Sequence, residues 1–223
     1  MTQLNPTPKH LTVKTLSTYE GHSVNNNYPV VVDYLNKTKQ VLDNALNDFS
    51  RTLVINFGLH FPLAWEGSCV HADVMNQSIS RFFKYFDREV DKVLAERLKQ
   101  HKRVHSNRIR YVWARERSNS LNPHYHVAIF LNADCFRGKG SYDLTSNSIA
   151  SCIQIAWHKA IGLDEFIQYG LVHFPENGDY RVDSNSESYI HQCDDVINRL
   201  SYYCKFTTKE FSSTFRCFGY SFK

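Results

Sequence analysis

The sequence predicts an α+β fold: a split βαβ, ferredoxin- or RRM-like antiparallel sheet with helices on one face. Three observations predict it. Residues 51–61 and 108–116 alternate apolar and polar positions with the period of a strand, and residues 124–131 follow the second run across a short turn. Helical periodicity occupies the intervals 73–102 and 146–161. Shorter strand-like runs at 170–174 and 180–182 complete the order β-α-β-β-α-β, and a helix follows.

Taken in order, residues 1–30 read as irregular, with Asn25, Asn26 and Asn27 ahead of Pro29. A helix is expected over 30–49, where Val31, Tyr34, Leu35, Val41, Leu42 and Leu46 recur mostly at three- and four-residue steps. In 51–61, Leu53, Ile55, Phe57, Leu59 and Phe61 share one face; Val54, Asn56, Gly58 and His60 share the other, and Pro62 stops the strand. Asp73 can cap the long helix, whose stripe is Ile79, Phe82, Phe83, Phe86, Val90, Val93, Leu94 and Leu98. Residues 118–123 make the turn between the two central strands. Gly162 ends the helix expected over 146–161. A last helix is expected over 186–209, ahead of a Phe/Ser-rich tail. The chain thus divides into an N-terminal extension with one helix (1–50), a principal domain (51–211) and a C-terminal tail (212–223).

Composition narrows the class. At 223 residues, 42% hydrophobic and 14% aromatic, the chain can bury a sizeable core. Its apolar runs are strand-sized, so no membrane partner is expected. Met1 to His10 is polar and carries prolines, unlike a signal peptide, which predicts a cytoplasmic protein. The cysteines (Cys69, Cys135, Cys152, Cys193, Cys204 and Cys217) form no CxxC pair, so reduced buried thiols are expected rather than a cysteine zinc site. Net charge is +4, unevenly spread: residues 81–117 hold twelve basic against five acidic side chains, and 161–196 hold one against eight. The basic block can attract a polyanion, or it can be a solvated helix face laced with ion pairs.

The chemistry-bearing segment is Asn122-Pro123-His124-Tyr125-His126-Val127-Ala128-Ile129-Phe130-Leu131-Asn132. In a strand His124 and His126 point to one side, and Tyr125, Val127, Ile129 and Leu131 to the other. Two imidazoles at this spacing can ligate one divalent ion, or can be a pair of surface histidines on a half-exposed strand. A hairpin would bring Glu116, at the end of the preceding strand, near both; the competing role is an ion pair with Arg115 or Arg117. Two nitrogens and a carboxylate suit Mn²⁺ or Mg²⁺ and leave positions open for phosphate oxygen and water. Farther on, Arg199, Tyr202 and Lys205 recur at three-residue steps, and Tyr202-Tyr203-Cys204-Lys205 has the spacing YxxK. A phenol ionises near pH ~10, so an attacking tyrosine needs a nearby cation or base. The alternative is core packing of aromatics at helical spacing.

Pro123-His124-Tyr125-His126 before a hydrophobic strand, with the later Tyr202-x-x-Lys205, resembles the rolling-circle initiators and relaxases of the HUH (His-hydrophobic-His) superfamily. More closely, residues 111–116, 122–132 and 200–205 resemble the inovirus-type replication-initiation proteins, which include the prophage-borne YagK/YfjJ-like proteins; the likeness spans roughly residues 50–220. The resemblance implies an HUH-type nuclease domain over 51–211. It implies nicking and rejoining of single-stranded or hairpin DNA through a 5′-phosphotyrosine, initiating rolling-circle replication of a phage or prophage element. Carried over by residue, His124 and His126 match the metal histidines, Glu116 the third ligand, Tyr202 the nucleophile and Lys205 its lysine. Tyr203, beside Tyr202, leaves the nucleophile open between the two. Arg108, Arg110 and Arg199 are candidate DNA contacts, and His60 an alternative ligand or a DNA contact. No GxxxxGK[ST] is present, so unwinding is expected from a host helicase. Two competing readings are a non-catalytic prophage DNA-binding regulator of the same fold and a metal phosphodiesterase that uses water.

Overall fold

In the computed structural model, residues 11–67, 71–117, 122–163 and 170–222 are described. The first short strands are β1 (Val13–Lys14), β2 (Thr18–Tyr19), β3 (His22–Ser23) and β4 (Val30–Val31), followed by α1 (Val32–Asp48) and β5 (Arg51–His60). Next come α2 (Ala72–Lys99), β6 (Arg110–Glu116), β7 (His124–Asn132) and α3 (Ile149–Ile161). The remainder is β8 (Val172–His173), β9 (Asp179–Asp183), α4 (Tyr189–Ser201) and β10 (Phe218–Tyr220). The fold is α+β. Its principal sheet runs β10-β6-β7-β5, with β8 and β9 both pairing the free side of β5, and every pairing is antiparallel.

The two faces of β5 explain the layering. Leu53, Ile55, Phe57 and Leu59 pack with α2 (Phe82, Phe86, Val90) and α3 (Ile153, Ala156, Trp157). The opposite face buries Val54 with Val112, Ala128 and Phe130 of its neighbours, under α1 (Leu35, Val41, Leu42) and α4 (Val196, Ile197, Leu200). Helices therefore cover both faces, and the expectation of one helical face is corrected. The physical cause is that β5, β6 and β7 carry apolar residues on both sides, while α1 and α4 each have an apolar stripe to bury.

Other departures have local causes. The segment before α1, expected to be irregular, forms two small antiparallel pairs, β1 with β4 and β2 with β3, and its Val24 and Val30 enter the α1/α4 core. Asp73 lies in the first turn of α2, and the N-cap is His71. The turn expected over 118–123, apart from Asn122 and Pro123, lies outside the described residues, as do Cys69 and the first ten residues. By contrast α3 starts from a Ser148/Ser151 capping box and stops at left-handed Gly162 (φ 77°) as its sequence implies. The last helix stops at Ser201 instead of running to residue 209, continuing as a single 3-10 turn over Tyr202–Cys204. Lys205 then turns extended, bridges to Val30, and Phe206 donates its N–H to the Pro29 carbonyl. Among the described residues, no helix is long and apolar enough to cross a membrane.

The tail supplies an unforeseen edge strand, β10, whose Gly219 lies against the indole of Trp113. A Cβ at Gly219 would overlap that ring, so Gly219→Ala is expected to destabilise the protein by about 1–3 kcal/mol; urea unfolding measures it. Farther down the same sheet, buried Arg110 donates to Asp48 at 2.6 Å, and this contact holds the Asp48 carboxyl below the usual carboxylate range against the opposing effect of burial. Asp48→Ala leaves Arg110 uncompensated and is expected to cost about 3 kcal/mol. Because the Asp48 value is depressed on folding, this contribution is present above about pH 4 and is lost as pH falls. Stability that stayed flat through acid in wild type would contradict it.

Candidate functional site

The site grows from the register of three strands. Glu116 of β6 faces His124 of β7, which faces His60 of β5. One rung inward on the same side, Ala114, His126 and Gly58 stand in line, and then Val112, Ala128 and Asn56. Small residues flank His126 on both sides, so its ring has room to stand beside that of His124. Gly58 matters here for a close approach: a Cβ would come within 3.1 Å of the His60 ring nitrogen. The two imidazoles meet edge to face with Nε2 atoms 3.3 Å apart, and His60 stacks on His124 at 5.4 Å between ring centres.

Among the described residues, Glu116, His124 and His126 are the group of three whose ligand atoms lie within 4.8 Å of one another. The spacing fits an ion. With bonds of about 2.1 Å, nitrogens 3.3 Å apart subtend about 100° at the metal. The 3.5 Å between His126 Nε2 and Glu116 Oε2 subtends about 110° at bonds of about 2.1 Å. Protonation also fits. Burial first, then repulsion from His126 and His60, pushes His124 down to about 4, so its ring is a neutral donor at neutral pH. Burial and the neighbouring His126 and His173 also lower His60. Burial alone would raise Glu116, but the His126 hydrogen bond and the Lys209 and Lys205 ammonium groups hold it well below the usual carboxylate range.

Both tyrosine rings lie 5.5 Å from that of His126, Tyr202 edge-on and Tyr203 stacked, but their hydroxyl surroundings differ. Half-buried Tyr202 meets the His126 ring edge-on at 5.5 Å, and Lys205 Nζ lies 3.7 Å from the centre of its ring. Burial would lower the Lys205 ammonium, but contacts with Glu116 and Tyr202 raise it, so it stays cationic. Tyr203 is committed to the core: its hydroxyl donates to Asn56 Oδ1 at 2.9 Å and lies 3.2 Å from the Val127 carbonyl. Burial drives its phenol well above the ordinary value. Tyr202, Tyr203, Arg199, His60, His124 and His126 line one cleft of about 360 Å³, joined by His173.

The other sequence candidates lie elsewhere. Arg110 shares a face of β6 with Glu116 but lies six positions from it, about 20 Å along the strand, and Arg108 precedes the strand. Both guanidinium groups reach Asp48, at 3.5 and 2.6 Å, so the structure does not bring them to the cleft. On α2 the basic block is partly neutralised in place, by Lys92–Glu89 and Lys99–Glu96 pairs. Sequence reasoning missed Lys209. Its side chain is fully buried, and its ammonium lies 2.6 Å from Glu116 Oε1. A lysine four residues beyond Lys205, in a segment rich in Phe and Thr, was the signal available. Also missed was Tyr28, whose exposed ring lies 5.9 Å from Tyr202 in an edge arrangement.

These features define an α+β protein with a candidate two-histidine, one-carboxylate metal centre at one end of an antiparallel sheet and a tyrosine–lysine pair beside it. The chain belongs to the YagK/YfjJ C-terminal domain family, whose model matches residues 14–221. It is 29% identical over 210 residues to Uncharacterized protein YagK of Escherichia coli (strain K12), covering 92% of this chain and 98% of that one. It is also 29% identical over 193 residues to Uncharacterized protein YfjJ of the same organism, covering 84% and 93%. No solved structure matches the chain.

Proposed function

We propose that this protein is an HUH-type DNA nickase and strand transferase that initiates rolling-circle replication of a phage or prophage element. The observation that carries the reading is the placement of Tyr202, with Lys205 on its ring, edge-on to His126 of the Glu116/His124/His126 donor set, with Tyr202 and both histidines lining one cleft. Connectivity supports the finer fold assignment: β6-β7-β5-β9, with α2 after β5 and α3 after β7, is the strand order of a split βαβ sheet.

Glu116, His124 and His126 would hold a divalent ion, Mg²⁺ or Mn²⁺, whose chemistry there is that of a Lewis acid toward a phosphate oxygen. The hydroxyl of Tyr202 attacks the phosphorus. The Tyr202 Oη–P bond forms as the P–O3′ bond breaks; the proton given up at Tyr202 is matched by one taken at the 3′-oxygen. Lys205 favours charge on the phenolic oxygen. The covalent link keeps the phosphodiester energy, so attack by a 3′-hydroxyl rejoins the strand. Arg199 in the cleft wall offers a guanidinium to a flanking phosphate.

A second reading, a regulator that binds DNA without cutting, is favoured by one observation: Glu116 already has two lysine partners. Labelled single-stranded oligonucleotides from the native element, including its hairpins, separate the readings when incubated with Mn²⁺ and run on a denaturing gel. A protein-linked product in wild type, absent from His126→Ala, is the expected result. Cleavage without an adduct means hydrolysis by water. A native-gel shift with no cleavage means the regulator.

A further inference from the structure

The geometry points to Lys209 as the positioning residue of the candidate metal centre: it holds Glu116 by Oε1, so that Oε2 is the oxygen presented to the histidine pair. The inference rests on the metal-centre reading above and goes beyond it, because neither the sequence motifs nor the family relationship gives Lys209 a role.

Three observations carry it. Lys209 is fully buried and lies 2.6 Å from Oε1, while the carboxylate it meets is itself only 1% exposed. Burying an ammonium group is costly, so it needs a close ionic partner. On the other oxygen, Lys205 lies 2.9 Å and His126 Nε2 3.5 Å from Oε2. The two lysines thus divide the carboxylate between them. The terminal torsion of a glutamate is broad and roughly two-fold, so a partner that fixes one oxygen also fixes where the other points. Outer partners of this kind typically change metal affinity by about 10–100-fold when removed.

This division separates positioning from charge. Either lysine places one positive charge beside the same carboxylate. If charge alone mattered, removing either would tighten binding of a cation. If Lys209 positions Glu116, the two removals act in opposite directions. Lys205 competes for Oε2, whereas Lys209 keeps that oxygen turned toward the histidines.

The test is calorimetric titration of the metal-free full chain with Mn²⁺ alone, on wild type, Lys209→Met, Lys205→Met and Lys209→Arg, with near-ultraviolet circular dichroism to check packing. Lys209→Met is expected to weaken Mn²⁺ binding roughly 10–100-fold, and Lys205→Met to leave it equal or tighter. Lys209→Arg keeps the charge but places a broader, planar group against Oε1 and is expected to fall between wild type and Lys209→Met. Should Lys209→Met lose its tertiary signal, Lys209→Arg decides: affinity equal to wild type overturns the inference. Wild-type affinity or tighter binding in a folded Lys209→Met also overturns it, while leaving the metal centre in place. A wild-type protein that takes up no Mn²⁺ overturns the metal-centre reading and the inference together.

Discussion

Tyr202→Phe is expected to abolish the covalent protein–DNA product, lowering the rate by roughly 10⁴-fold or more, as loss of a nucleophile does elsewhere. The substitution removes one oxygen and keeps the ring, so the edge-on packing against His126 and the face toward Lys205 survive. Folding and DNA affinity should therefore change little. Tyr203→Phe has the reverse signature. It deletes a buried hydroxyl that donates to Asn56 and leaves that acceptor unpaired, costing about 1–3 kcal/mol of stability while adduct formation persists. A gel assay beside urea unfolding reads both. An adduct that survives in Tyr202→Phe and disappears in folded Tyr203→Phe would exchange the roles.

The second large effect is expected from Glu116→Ala. Lys205 and Lys209 are only 6% and 0% exposed at the side chain, and both lie within 3 Å of this carboxylate. Removing it strands two buried ammonium groups, a loss of about 3–5 kcal/mol by comparison with other broken buried pairs. The same change removes the third donor of the metal centre. Glu116→Gln keeps an oxygen and the shape, so it should retain more stability than Glu116→Ala while still losing most Mn²⁺ affinity. Equal stability for Glu116→Ala and wild type would contradict the account of the buried lysine pair.

Much of the central sheet was legible because alternation is a local signal. Leu53, Ile55, Phe57 and Leu59 against Val54, Asn56 and Gly58 announce β5 without any knowledge of its neighbours. His124 and His126 likewise announce a shared face, and Gly162 the end of α3. What escaped depends on partners distant in sequence. Asp48 engages Arg110 across 62 residues and keeps it from the cleft. The early end of α4 depends on Pro29, Val30 and the pull of Glu116 on Lys205. β10 is three residues long with a central glycine, too short for periodicity to register. Lys209 reads as a surface residue until the fold places it on Glu116. The choice between Tyr202 and Tyr203 is similar: both carry the same side chain, and it is Asn56 and Val127, distant in sequence, that commit the Tyr203 hydroxyl to the core.

The most direct measurement is to locate the DNA-derived phosphate on the protein. Trypsin acting after Arg199 and Lys205 releases residues 200–205, which contain both tyrosines. Wild-type protein incubated with single-stranded DNA and Mn²⁺, digested with nuclease and trypsin, should yield this peptide with a nucleotide attached, and fragmentation should place it on Tyr202. A modified Tyr203 would contradict the assignment of the nucleophile. Cut DNA with no modified peptide would contradict the strand-transfer account itself.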